Sequence, residues 1–250
     1  MVCVVKVHEK PELDDPVLIE GLPGIGFVAN ISALHLIHEL DAKLFAEITS
    51  SSFQDLAVTT ESGGTRSPIN QLYYSKSRDG GRGLIIWYGN TQALTTFGQY
   101  ELCGRVLDMA QELGCHYIIT LGGFKTEQTT EKPQIYCAAT DPQTLKTALN
   151  LDTKIMVGQI YGIAGITIGL AKLRNLKAFS LLVETTGTYP DPKAAKQALT
   201  ALKKHLKLKI NLTNINLAAE ETQKTLQSFG VITRAKQEEK KEESPFRWFV

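Results

Sequence analysis

The sequence predicts an α/β fold in three layers, with a mixed central sheet flanked by helices. Three observations carry that expectation. Short β-branched and aliphatic runs alternate with longer segments whose apolar residues recur at helical spacing. One run, GLIIWY over 83–88, is apolar without interruption, as a strand buried on both faces must be. A glycine-rich turn, Gly21-Leu-Pro23-Gly24-Ile-Gly26, joins an early strand to the first helix.

In chain order, 2–7 and 17–22 read as strands, and Phe27, Ile31, Leu34, Ile37 and Leu40 lie on one stripe of a helix over 26–40. A short strand over 44–48 follows. The segments 56–60 and 69–75 form an antiparallel-looking patch separated by the turn-rich ESGGTRSP. After a second turn at 78–81 come the buried strand 83–88, a helix over about 96–113 and another buried strand over 117–121, a β-α-β crossover. Beyond it lie a strand over 134–139, a small-residue-rich helix over 165–173 and a central strand over 178–184. Asp191 followed by Pro192 marks a helix start, the carboxylate capping and the proline at the first helical position. That helix carries Ala195, Ala198, Leu199, Leu202 and Leu206 on one face, and a last helix over about 214–229 stops at Gly230. No fixed-period repeat interrupts this order, so 1–230 reads as a single α/β domain and 231–250 as a charged tail.

Composition removes several classes of partner. The 250 residues are 43% hydrophobic, enough for a sizeable core, and 27 Lys and Arg against 26 Asp and Glu leave a net charge of +1. Such a balance gives no field that would draw the chain to nucleic acid or to a membrane surface. Cys3, Cys103, Cys115 and Cys137 are scattered, without C-x-x-C or zinc spacing to the five histidines, and read as small buried hydrophobes in a reducing compartment. The N-terminal MVCVVKVHEK has no leader pattern and no run of 18 apolar residues occurs, which predicts a cytoplasmic protein.

Gly24-x-Gly26-x-x-Ala29, after a strand and before a helix, matches a dinucleotide fingerprint, and Glu47 stands near the end of the next strand where a ribose-binding acid would be. On that alternative the chain is a nucleotide- or nucleoside-binding α/β enzyme. The plainer reading makes Gly21, Pro23, Gly24 and Gly26 a structural turn that reverses the chain and seats the helix on the sheet. Gly122-Gly123 and Tyr161-Gly162-Ile-Ala-Gly165 fall where an α/β sheet presents its strand-end crevice, so they mark a place for a small-molecule pocket. Gly165 and Gly169, four apart, more simply let a helix approach its neighbour. Glu184, ending an apolar strand, is either a buried acid or a carboxylate held by nearby backbone amides. His35 and His38 are three apart on one helix with no third ligand, and Ser50-Ser51-Ser52 has no nucleophile elbow. No catalytic set, metal site or cofactor is predicted.

The tail is the most distinctive segment. From Arg234 to Arg247 it reads RAKQEEKKEESPFR, the composition of a solvated tether, and then ends in Trp248-Phe249-Val250. An indole, a phenyl ring, a branched aliphatic and a free carboxylate suit a pocket that is apolar along its wall and cationic at its floor. The alternative is a tail that folds back on its own domain or frays.

Taken together, "IEGLPGIGFVAN", "LGGF", "GQIYGIAGITIGL" and "ETTGTYPDPKAAKQAL", in that order over roughly residues 15 to 230, resemble the proteasome assembly chaperone family, in particular its archaeal members. The resemblance implies a fold similar to nucleoside phosphorylases and related hydrolases, used without catalysis. It implies an ATP-independent, homo-oligomeric chaperone or adaptor that binds proteasome α-subunits or the core particle. Family members and proteasome activators can end in a hydrophobic residue, a tyrosine and a variable last residue, which enter pockets between α-subunits. Trp248 then takes the hydrophobic position, Phe249 the aromatic one, and Val250 gives the carboxylate. Phe249 departs from the pattern by lacking the phenolic hydroxyl.

Overall fold

The computed structural model describes residues 3–76, 81–128 and 130–231. Among the described residues nine strands form one sheet: β1 (Cys3–Val7), β2 (Val17–Gly21), β3 (Lys43–Ser50), β6 (Asn70–Ser75), β7 (Leu84–Gly89), β8 (Tyr117–Lys125), β9 (Ile135–Ala139), β10 (Lys154–Ile155) and β11 (Lys177–Thr185). Their order across the sheet is β1-β3-β6-β7-β2-β8-β11-β9-β10. The four middle strands β7, β2, β8 and β11 run parallel, while β6, β3 and β1 on one side and β9 on the other are antiparallel to their inner neighbours. The expected mixed sheet is therefore present, its centre made of the most apolar runs.

Side-chain alternation along β2 divides the core. Val17 and Ile19 join one buried cluster with α1 (Val28–Glu39), α3 (Pro142–Leu149), α5 (Pro192–Leu206) and α6 (Ile215–Ser228). Leu18 and Leu22 join the other, with α2 (Thr96–Glu112) and α4 (Gly162–Leu173). Helices thus cover both faces, as near-continuous hydrophobic strands require. Trp87, fully buried on the α2–α4 side, donates its indole N–H to Asn70 Oδ1 at 2.7 Å, so the largest core side chain has its polar atom paired.

Several boundaries differ from the sequence reading. The segment 56–60 does not pair with β6. Within it, β4 (Val58–Thr59) closes a small hairpin with β5 (Thr65–Arg66), and β6 is instead sandwiched between β3 and β7. Helix α3 and strand β10 were not predicted. Helix α3 starts as α5 does: Asp141 Oδ1 accepts from the amides of Gln143 and Thr144 at 3.0 and 2.9 Å, with Pro142 at the first position. Strand β8 runs past Leu121 through both glycines, paired in parallel register with β11 from Tyr117↔Lys177 to Lys125↔Thr185. The strand expected over 117–121 thus continues to Lys125 and contains Gly122 and Gly123.

Gly165 and Gly169 do not serve a helix–helix contact. A Cβ at Gly165 would fall 1.9 Å from the carbonyl oxygen of Ile160 in the preceding loop, whereas Gly169 faces open space. Among the described residues no helix is long and apolar enough to cross a membrane.

A candidate ligand cavity at the strand ends

The glycine turn is built for close approach. A Cβ at Gly21 would lie 2.2 Å from Cβ of Ala33 and 2.9 Å from the carbonyl of Ala29, so α1 rests directly on the end of β2. Gly26 has φ +62° and is followed by Phe27 at φ +52°, which turns the chain into α1 after a single 3-10 turn. The turn is also tied to α5. Gly26 O accepts from the Asp191 amide at 2.9 Å, Asp191 Oδ1 caps Ala194 N at 2.9 Å, and Thr185 Oγ1 donates to Asp191 Oδ2 at 2.7 Å. The carbonyl of Pro23 accepts from Gln92 Nε2, which links the turn to the segment after β7.

Around this turn the C-terminal ends of β2, β8 and β11 enclose a cavity of about 430 Å³ with mainly apolar walls. Gly24 and Ile25 from the turn, Gly122 and Gly123 from β8, and Tyr161 and Gly162 from the start of α4 all line it. The crevice residues expected from sequence are therefore brought to one place, at the position where parallel sheets hold ligands.

The polar group at its floor is one that the sequence reading overlooked. Glu20 is 2% exposed, lines the cavity, and points to the α2–α4 side with Leu18 and Leu22. Its Oε1 accepts from the Leu22 amide at 2.9 Å, but Oε2 has no hydrogen-bond partner among the described residues. Burial pushes the carboxyl up to about 8, against an ordinary 4.5, because desolvation outweighs the hydrogen bond from the Leu22 amide. Thr120, opposite Glu20 on β8 and fully buried, also has a hydroxyl without a partner among the described residues. The signal was visible as an acid inside the otherwise apolar VLIEG.

Other predicted residues stay apart. Glu47 lies on β3, separated from β2 by β6 and β7, where its Oε2 pairs with His8 Nε2 at 2.9 Å. It cannot meet a ribose held at the Gly24 turn, which corrects the dinucleotide arrangement. Glu184 is a held carboxylate: Oε2 accepts from the Gln134 amide and Oε1 from Tyr136 Oη, both at 3.1 Å. His35 Nε2 sits 2.7 Å from the Asn211 carbonyl oxygen and His38 Nε2 sits 3.7 Å from Glu221 Oε2, so the two serve separate contacts. All four cysteines are buried and free. Among the described residues no three His, Cys, Asp or Glu side chains are grouped to hold a metal. Trp248, Phe249 and Val250, together with the tether before them, lie outside the described residues.

Fold and site together define a three-layer α/β protein with a mixed sheet and an apolar strand-end cavity floored by one carboxyl. The profile of the PAC2 family matches residues 18–229, and the chain belongs to that family. The resemblance to proteasome assembly chaperones read from the sequence motifs is thereby borne out. An uncharacterized protein of Methanocaldococcus jannaschii is 31% identical over 217 residues, covering 86% of this chain and 83% of the relative. Among solved structures, PbaB of Pyrococcus furiosus, described as an archaeal proteasome activator, is 36% identical with a TM-score of 0.81, covering 92% of this chain and 99% of that one. PbaA of the same organism, described as an archaeal homolog of proteasome-assembly chaperone, shares the fold at 24% identity and TM-score 0.74, covering 93% of this chain and 100% of that one.

Proposed function

We propose that this chain is a proteasome-related binding protein, a non-catalytic and ATP-independent assembly chaperone or activator-like adaptor. The observation that carries the reading is the 36% identity to PbaB, an archaeal proteasome activator, across 92% of the chain. The tail sequence supports it independently. On this reading the charged segment 234–247 links the domain to the docking residues. Trp248, Phe249 and the Val250 carboxylate then reach pockets between α-subunits of the cytoplasmic core particle.

Three residues bury little area and lose conformational freedom on docking, so one tail binds weakly. A homo-oligomer that presents several tails at once raises the effective concentration of each and multiplies the affinity. Helix α4 favours such an assembly. Its sequence, GIAGITIGLAKL, is apolar on nearly every face, yet it buries only Ile163, Thr167 and Ala171 within the subunit. Tyr161 and Leu173 at its two ends, and Leu94, Phe97 and Tyr100 around the start of the adjacent α2, remain exposed.

The reading is tested with two synthetic copies of residues 241–250, one with a free C-terminal carboxylate and one amidated, as competitors of full-length chain for archaeal core particles. The free-acid peptide should displace the chain and the amide should not. Equal competition by both, or none by either, removes the carboxylate-directed docking mode.

A further inference from the structure

The docking mode proposed for the tail leaves the cavity at the strand ends unassigned, and its features ask for a ligand of their own. Its volume of about 430 Å³ lies within the range of small-molecule sites and far exceeds what one bridging water fills. Leu22, Ile25, Leu121, Ile160, Ala164 and Leu182 give it apolar walls. At the floor, Glu20 is 2% exposed and its Oε2 has no partner among the described residues. A buried polar atom without a partner costs free energy, and a buried carboxylate costs more unless a cation meets it. Among the described residues no cationic side chain pairs with Glu20. Lys125 lies at the cavity lining but is solvent-exposed, and the hydroxyl of exposed Tyr161 donates to Gln159 Oε1 at the same mouth.

We propose that this cavity binds a small molecule with an amine or amidine at one end of an apolar body, the nitrogen donating to Glu20 Oε2 and the body filling the space beneath Ile160 and Ala164. The missing positive partner is supplied by the ligand. Binding converts a neutral carboxyl into a carboxylate paired in an apolar setting, where charge-assisted hydrogen bonds are strongest. An anion is disfavoured at a floor whose ionisable group is acidic. Since burial holds the Glu20 carboxyl at about 8 without a ligand, an ammonium ligand displaces its proton, and affinity rises as pH climbs toward that value. Among the described residues the titratable groups facing this site are few. Cys103 on α2, pushed up to about 12 by burial, stays neutral throughout, β7, β8 and α4 present the non-titrating Trp87, Thr120 and Thr167, and Lys125 and Tyr161 stand at the mouth.

The test uses the full chain and three probes of matched size: benzylamine, benzyl alcohol and benzoate, each titrated by ligand-observed NMR up to about 10 mM, where fragment affinities are readable. Benzylamine should bind, benzyl alcohol and benzoate more weakly or not at all, and benzylamine binding should release a proton, seen as buffer-dependent heat in calorimetry. Glu20→Gln should weaken benzylamine about 10- to 100-fold. Ala164→Phe, which fills the cavity and leaves Glu20 in place, should abolish binding of all probes. Equal affinity for the alcohol and the amine, unchanged affinity in Glu20→Gln, or no binding of benzylamine over the whole range would overturn the proposal, the last result leaving the cavity a site for internal water only.

Discussion

Replacing Glu20 by glutamine should change how stability depends on pH. In the unfolded chain this carboxyl ionises near 4.5, whereas in the folded chain burial holds it protonated up to about 8. Below the lower value both states are protonated and the group contributes no slope. Between the two values the unfolded state gives up its proton while the folded state keeps it, so wild-type stability falls as pH rises, and above about 8 the loss is complete. At about 1.36 kcal/mol per pH unit, the span of roughly 3.5 units sets an upper limit near 5 kcal/mol. Glutamine keeps the size and the Oε1 acceptor for the Leu22 amide but does not titrate. The assay is thermal denaturation of both proteins at intervals from pH 4.5 to 9. For a chain of this size about 1 kcal/mol moves the midpoint by roughly 2–4 °C, so Glu20→Gln should gain on wild type by on the order of 10 °C across the window. Two melting curves that shift in parallel over the whole range would refute the assignment of Glu20 as a buried, unpaired acid.

Other substitutions probe the surrounding geometry. Gly123→Ala places a Cβ 2.2 Å from the carbonyl oxygen of Ile25, and should cost about 2–3 kcal/mol in denaturant unfolding. Asp191→Ala removes both the cap on Ala194 N and the acceptor for Thr185 Oγ1, and should cost about 1–2 kcal/mol by the same measure. Phe249→Tyr restores a hydroxyl at the aromatic tail position and should tighten capture of core particles about fivefold in a surface-binding assay, the worth of one neutral hydrogen bond.

The sheet was legible because its central strands are the most apolar stretches of the chain. Uninterrupted runs such as Leu84–Gly89 have one stable place, between two helical layers. Glycines were harder to read. The strand over 117–121 was ended before Gly122-Gly123, but glycine also stands inside a strand wherever another backbone passes within van der Waals range. That is the role of Gly123, which lies under Ile25. Helix α3 escaped notice although Asp141-Pro142 repeats the start signal of Asp191-Pro192. With 8 residues it offers too few turns for a periodic stripe to stand out. Glu20 was missed for a related reason. Alternation fixes which face a strand residue occupies, but only the tertiary arrangement shows that no partner meets its outer oxygen. The pocket residues Gly122, Gly123, Tyr161 and Gly162 were singled out one by one in the sequence, and their convergence follows from the parallel order β2-β8-β11.

Whether the last three residues deliver the chain to the proteasome is settled by immobilising archaeal core particles and comparing full-length protein with a form lacking Trp248–Val250. Loss of binding with an unchanged melting temperature and oligomeric state is the expected result. Undiminished binding of the shortened chain would contradict the account.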